Sequence, residues 1–164
     1  MKDMDRTPPP DDSDERATLT AFLEYLRSSV VAKLAGVDDD AAKRPQVPSG
    51  TSIYWLGTHL SAVEINQFQR ILDGRPSERI VPPAPPAIEF DTMSAVIDRY
   101  ETACAESRRI LESFDELDTL GRGVGRKGDR RNLRWVLTHM IEETARHAGH
   151  LDILREQLDE TTGR

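Results

Sequence analysis

An apolar helical stripe near the C-terminus carries a glutamate and a histidine, Glu143 and His147, at positions where leucine is expected. The full stripe comprises Val136, Met140, Glu143, His147, Leu151 and Leu154. Residues four apart are neighbours on one face of a helix, with Cβ atoms roughly 5–6 Å from each other. A buried carboxylate needs a cation, a hydrogen-bond network or a metal ion to offset its lost hydration. This spacing favours a metal, because a carboxylate oxygen and an imidazole nitrogen can then bind one ion.

A second histidine on another predicted helix completes a plausible ligand set. His59 lies one turn from both Leu56 and Val63, and so it faces the interior with them. Taken alone, His59 would be a core histidine satisfied by hydrogen bonds. A helix bundle, however, can bring side chains from facing helices into one site. Two histidines and one carboxylate leave a coordination position open for water or substrate. We therefore predict that His59 binds a metal ion together with the glutamate and histidine of the stripe.

Other histidines and tryptophans lie close to these positions in the sequence. His139 is one turn before the glutamate, and His150 is three residues after the histidine of the stripe. We expect each of them either to hydrogen-bond a side chain that binds the metal or to contact substrate. Trp55 and Trp135 each precede a histidine by one turn, which suggests a pocket wall and places Trp55 among the candidate site residues. Tryptophans on buried helices usually fill the core, and this is the simpler expectation for both.

Helical periodicity and end signals predict the elements that position these residues. The four predicted helices run from a capping box at Asp12 to about Gly36, from Ser49 or Thr51 to about Asp73, from Asp91 or Thr92 to Phe114, and from Asn132 to Leu158. Since no alternating strand pattern occurs, the fold class is all-α, a four-helix bundle. Five prolines between residues 75 and 89 favour an extended linker. The linker is long enough for a crossover connection, but periodicity alone does not choose it over simple up-down order.

Composition limits the domain organisation and the partners. The chain has 164 residues, of which 37% are hydrophobic and 31% are charged, which suits one soluble domain over residues 14–160. Residues 1–13 are acidic and rich in proline, and we expect them to be disordered. We expect a cytoplasmic protein without a membrane segment, because no run of about 18 apolar residues and no secretory signal occurs. A net charge of -7 weighs against nucleic-acid binding. The single cysteine, Cys104, excludes an intrachain disulfide and is expected to be buried.

The segment between the third and fourth helices is rich in glycine and basic residues. Its basic side chains are those of Arg122, Arg126, Lys127, Arg130, Arg131 and Arg134. The simpler interpretation is a mobile, solvated loop. The alternative is a loop beside a pocket, where it contacts an anionic or sugar-rich substrate.

Two sequence stretches resemble a known superfamily. VPSGTSIYWLGTHLSAVE and LRWVLTHMIEETARHAGHLDILRE resemble the signature stretches of the DinB superfamily, in its mycothiol-related branch that was formerly a domain of unknown function. The resemblance extends roughly from Asp14 to Leu158. It implies a DinB-like four-helix bundle with a crossover connection, commonly a homodimer. It also implies a divalent metal, often zinc or nickel, held by one histidine of the second helix and an HxxxH pair of the last, here His59, Glu143 and His147.

The first residue of that pair is glutamate here. In this respect the chain is similar to mycothiol S-transferases and to the N-terminal domain of mycothiol-dependent maleylpyruvate isomerase. The resemblance implies an open site at which a low-molecular-weight thiol, mycothiol, is deprotonated and conjugated to a small electrophile in detoxification. Two other functions stay open. One is a non-catalytic metal-binding DinB-like protein of the stress response, and the other is a metal-dependent hydrolase.

Overall fold

The computed structural model describes Pro9 and residues 14–76, 80–81, 92–125 and 127–161, and these form an all-α structure. The helices are α1 (Glu15–Leu34), α2 (Asp39–Lys43), α3 (Ile53–Glu64), a π-helix (Ile65–Leu72) that continues α3, α4 (Met93–Glu112) and α5 (Leu133–Asp159). The predicted four long helical stretches are confirmed, with the π-helix completing the second. The proposed disorder of residues 1–13, the extended conformation of most of the 75–89 linker, and Arg126 lie outside the described residues.

The long helices begin at side chains that cap the first free backbone N–H groups. The capping residues are Asp14, Ser52, Thr92 and Asn132, each accepting from the N–H three residues ahead. Thr92 and Asn132 were among the expected residues. The expected capping box at Asp12 is wrong, because the Asp14 carboxylate accepts from Ala17 at 2.8 Å. Ser49 and Thr51 are likewise wrong, because the Ser52 hydroxyl accepts from Trp55 at 3.1 Å.

The order of helix directions requires a crossover. α3 and α4 run parallel, since Gly57 packs on Val96 near the start of both helices and Glu64 binds Ser107 much further along both. The chain between the π-helix and α4 must therefore return from one end of the bundle to the other. Ile80 lies on this connection, and its backbone N–H and C=O both bind the Asn66 side chain, at 3.0 and 2.7 Å. The crossover expected from the superfamily resemblance is confirmed.

The first and last long helices, α1 and α5, also run parallel. Arg134 pairs with Glu15 where α1 and α5 both begin, and Arg155 reaches the last turn of α1 from the last turns of α5. The start of α1 instead meets the end of α4, where Arg16 donates to the Leu111 carbonyl at 2.8 Å. The directions are thus up, down, down, up. None of the helices in the described residues is long and apolar enough to span a bilayer.

A buried polar network separates two apolar clusters of the core. Arg27 is 2% exposed and Glu64 is fully buried. The Nε and Nη2 atoms of Arg27 donate to the two carboxylate oxygens of Glu64 at 2.8 and 2.6 Å. Ser107 donates its hydroxyl to Glu64 at 2.7 Å. The network therefore joins α1, α3 and α4 at one level of the bundle, and it satisfies a carboxylate that would otherwise be very costly to bury.

The network extends to the surface through Glu24, which accepts hydrogen bonds from Arg27 at 2.6 Å and from Arg108 at 2.7 Å. Partial burial raises the pKa of Glu24, but the hydrogen bond from Arg108 and the charge of Arg27 outweigh it and lower the pKa overall. Beside the network, Cys104 is 2% exposed, so its expected burial is confirmed. Burial and the nearby Glu64 carboxylate raise the pKa of the Cys104 thiol, which keeps it protonated.

Candidate metal centre

Three side chains from two antiparallel helices converge midway along the length of the bundle. α3 supplies His59, and α5 supplies Glu143 and His147. Their potential ligand atoms all lie within 4.8 Å of one another. The three side chains are 21%, 14% and 12% exposed, so the group lies near the surface and is shielded from it. The predicted meeting of these residues across the two helices is observed.

The distances between the ligand atoms suit a single ion. Glu143 Oε1 lies 3.1 Å from His59 Nε2 and 3.3 Å from His147 Nε2. Two ligands of a tetrahedral zinc ion, at bond lengths of 2.0–2.2 Å, are about 3.4 Å apart. The donor set and its spacing therefore fit a divalent metal with little movement of the side chains. The described residues bring no fourth histidine, cysteine or carboxylate into this group.

Glu143 is held as a carboxylate. Hydrogen bonds from His147 and His59 lower the pKa of Glu143 far below its ordinary value, although partial burial opposes this shift. Arg146 lies 3.8 Å from the second carboxylate oxygen and pairs more closely with Glu142, one turn earlier. Glu142 is exposed. Glu143 therefore carries a negative charge at neutral pH, which a cation would offset.

His150 lies behind one of the proposed ligands. Its Nδ1 atom is 3.2 Å from Nδ1 of His147, on the opposite side of that ring from Nε2. One of the two nitrogens must donate and the other accept, so the contact fixes both tautomers together. When His147 uses the Nε2 lone pair for a metal, its Nδ1–H donates to His150. Contacts of this kind orient ligand histidines in metal sites.

Two aromatic side chains pack beside the histidines, and one corrects an expectation. Trp55 stacks on His59, with ring centroids 4.9 Å apart and planes 17° apart. It also packs against one of the apolar clusters, in line with the core expectation. Trp135 is 41% exposed, and its assignment to the core is wrong. Its ring instead packs on His139, at a centroid distance of 4.9 Å.

His139 does not join the group of ligand atoms. It is 29% exposed and lies 3.9 Å from Glu142. Burial lowers the pKa of His139 despite the opposing effect of the Glu143 charge. Along α5, His139 lies one turn after the tryptophan and one turn before Glu143.

The glycine-rich loop is anchored to the backbone of neighbouring elements. The N–H groups of Arg122 and Gly123 donate to the carbonyls of Leu72 and Ile71, at 2.8 and 3.0 Å. A Cβ atom on Gly123 would clash with the carbonyl oxygen of Arg70, so only glycine permits this approach. The simpler expectation of a mobile, solvated loop therefore fails for this part of it. Sequence reasoning missed the anchor, although closely spaced glycines are its signal.

The family described as MST, mycothiol-S-transferase, matches residues 18–160. The chain belongs to the mycothiol S-transferase family. The match begins in the first turn of α1 and includes the other long helices and all three convergent residues, which confirms the superfamily branch expected from the two sequence stretches. Comparison with curated proteins finds no match.

A solved structure supports the fold of this mycothiol S-transferase family member. The crystal structure of a DinB-like protein from Bacillus cereus ATCC 10987 is similar to it, with a TM-score of 0.64. The two chains are 17% identical, and the similarity covers 88% of this chain and 95% of the other. The DinB-like fold is thereby confirmed.

Proposed function

We propose that the chain is a divalent-metal-dependent transferase that conjugates a low-molecular-weight thiol, mycothiol, to a small electrophile. The ligands would be His59, Glu143 and His147. The observation that carries the proposal is the convergence of their donor atoms within 4.8 Å, from two helices, in a family of thiol transferases. Two imidazoles and one carboxylate suit zinc, although nickel and other divalent ions accept the same donors.

The bound ion would lower the pKa of a thiol in its open position, so that the thiolate forms at neutral pH. In the overall reaction, the sulfur forms a bond to the electrophilic atom and the thiol proton passes to solvent. The leaving group departs with the electron pair of the broken bond. The chain itself holds the charge and the geometry of the site. Glu143 contributes a negative charge, and the imidazole rings of His59 and His147 beside it supply the other two donors.

Residues around the ligands would support them. We propose that His150 sets the tautomer of His147 through its 3.2 Å contact, and that Trp55 fixes the ring of His59 by stacking. His139 lies toward the loop, where it would contact substrate. A closed structural site needs a fourth protein ligand, and neither His139 nor His150 belongs to the group found in the described residues. This supports the catalytic function over the purely structural one. We further propose a cytoplasmic homodimer that serves detoxification.

Glu143→Ala tests the ligand assignment, with Glu142→Ala as the matched control on the same helix. After zinc loading and desalting, elemental analysis should find about one zinc per wild-type chain. We expect Glu143→Ala to weaken zinc binding by more than about 100-fold. Even the loss of a residue that only hydrogen-bonds a metal ligand lowers metal affinity by about 10–100-fold. Far-UV circular dichroism should show that both variants keep their helices. Stoichiometric zinc retained by Glu143→Ala would refute the assignment.

Turnover tests the transferase activity. The zinc-loaded and metal-free proteins are incubated with mycothiol and monobromobimane, and the conjugate is measured after subtraction of the uncatalysed rate. We expect a rate that depends on zinc and falls to background in Glu143→Ala. Equal rates for the zinc-loaded and metal-free wild type would contradict the transferase proposal, even if the metal binds as described.

A further inference from the structure

A pocket of about 370 Å³ lies where the glycine-rich loop meets the first turn of α5. It is separate from the three convergent residues. Its lining consists of Leu120, Asp129, Arg130, Arg131, Asn132 and Trp135. We name it the loop pocket.

The loop pocket is built from fixed elements. Arg130 donates twice to the carbonyl of Gly121, at 2.9 and 2.6 Å, and the Gly121 N–H donates to the carbonyl of Arg131 at 2.8 Å. A β-bridge joins Leu120 to Asn132. The two sides of the pocket are therefore tied together by the backbone, and a ligand would enter a site that is largely preformed.

The lining combines an aromatic ring with paired hydrogen-bonding groups. The Arg131 guanidinium lies 3.6 Å from the centroid of the Trp135 ring, and its Nε donates to Asp129 at 3.0 Å. Asp129 and Trp135 are 42% and 41% exposed. The pocket thus offers donors, acceptors and an apolar surface side by side.

This combination favours hydroxyl groups over anions. The Gly121 carbonyl and the Asp129 carboxylate already accept some of the N–H groups of Arg130 and Arg131, and the Asp129 carboxylate would repel a second negative charge. A hydroxyl group, by contrast, donates to a carboxylate and accepts from a guanidinium at once. The CH groups of a ring that carries such hydroxyls can pack on the part of the indole that Arg131 and His139 leave exposed. The chemistry is that of a polyhydroxylated ring, such as a sugar.

The loop pocket and the candidate metal centre share one helix. Trp135 packs on His139, and His139 precedes Glu143 by one turn. The eight residues from Trp135 to Glu143 correspond to about 12 Å along α5 at 1.5 Å per residue. An extended molecule of that length could reach both places, whereas a free amino acid thiol could not.

We propose that the loop pocket binds the hydroxyl-rich end of a sugar-bearing thiol whose sulfur lies at the metal centre. The inference rests on the proposed function and adds the feature that selects the thiol. Mycothiol carries its cysteine on an amino sugar joined to inositol, so its hydroxyl-rich end is distant from its sulfur. Cysteine alone has the same sulfur but leaves the pocket empty.

Kinetics with two thiols test the selection. The zinc-loaded Trp135→Ala and Asp129→Ala variants are assayed with mycothiol and with cysteine, and Arg109→Ala, an exposed substitution on α4, serves as the control. We expect KM for mycothiol to rise about 10-fold, as the loss of one or two hydrogen bonds or of a ring contact implies, with kcat changed by less than about twofold. The rates with cysteine should stay unchanged in every variant. Equal losses with both thiols, or no change with mycothiol, would overturn the proposal.

Binding to the metal-free protein separates this inference from the transferase activity. The probe is the sugar portion of mycothiol without its cysteine, titrated while the indole N–H signals of the two tryptophans are followed by NMR. We expect the Trp135 signal to shift and saturate while the Trp55 signal stays in place. This result would uphold the pocket even if no transferase activity were found. No saturable shift of Trp135, or a shift of Trp55 alone, would refute it.

Discussion

The Arg27–Glu64 pair permits a quantitative prediction about the core. Arg27→Met removes the cation and keeps a side chain of similar length, so Glu64 stays fully buried with only the Ser107 hydroxyl as a partner. Breaking a buried pair on one side costs about 3–5 kcal/mol of unfolding free energy. Replacing both residues, as Arg27→Met with Glu64→Leu, restores an apolar contact and should cost less than either single substitution. The expected coupling energy between the two substitutions is about 3 kcal/mol. Independent substitutions deviate from additivity by only about 0.3–0.5 kcal/mol.

Urea unfolding followed by circular dichroism at 222 nm measures these values. The proteins are treated with a chelator, because a bound metal would add its own stabilisation. Arg109→Met is the control, since Arg109 is 76% exposed and pairs with Glu106 at 3.1 Å. Such a surface pair contributes about 0–1 kcal/mol. A cost below about 1 kcal/mol for Arg27→Met, or a double variant whose loss equals the sum of the single losses, would refute the reasoning.

Three further predictions concern stability. Gly57→Ala should lower the free energy of unfolding in urea by about 1–3 kcal/mol, because its Cβ would lie 2.6 Å from Val96. An unchanged urea midpoint would contradict this close packing of α3 on α4. Ser52→Ala should cost about 0.5–2 kcal/mol through loss of the cap on α3, whereas Ser52→Asp should restore it; equal losses in both variants would contradict the capping role. Glu24→Gln should destabilise the protein at pH 7, and its difference from wild type should shrink as the pH falls below about 4.5, since a lowered carboxyl pKa stabilises the fold only where the unfolded group would be ionised. A difference that stays constant from pH 7 to pH 3 would argue against this ion pair.

Much of the candidate site could be predicted from the sequence because its signals are local. Glu143 and His147 are four residues apart within an apolar stripe, and helix geometry alone places them together. His59 carries the same signal on a second helix. The convergence of the two helices needed the bundle architecture as well, which the periodicity of each helix made clear. Their role as metal ligands is a proposal that the geometry supports.

The buried network escaped prediction, although part of its signal was present. Glu64 lies on the apolar stripe of the second helix, four residues after Leu60 and four before Phe68. This is the same anomaly that drew attention to Glu143. Its partner, Arg27, is one of several charged residues in its helix, so nothing in its own surroundings marked it as buried. Pairing across helices depends on tertiary distances that periodicity does not contain.

The predictions for Trp135 and for the first residues of α1 and α3 failed for a different reason. Trp135 was assigned to the core by residue type, yet its place in the first turn of α5 puts it beside a loop, where Arg131 covers its ring. At Asp14 and Ser52, several residues of suitable type stood within three positions of one another. Which of them caps the helix depends on where the chain enters the bundle, and this is set by tertiary packing.

The anchored loop has a consequence for how the protein can diversify. Its first part, around Gly123, is locked to the end of the π-helix by backbone contacts, while the residues that face the loop pocket follow at Asp129–Arg131. The proposed metal ligands lie further along α3 and α5 and do not depend on those side chains. Under the proposed function, substitutions in the second half of the loop would alter which thiol is recognised while the proposed metal ligands stay unchanged. Thiol preference would then be set by a single short segment, with no need to rebuild the bundle.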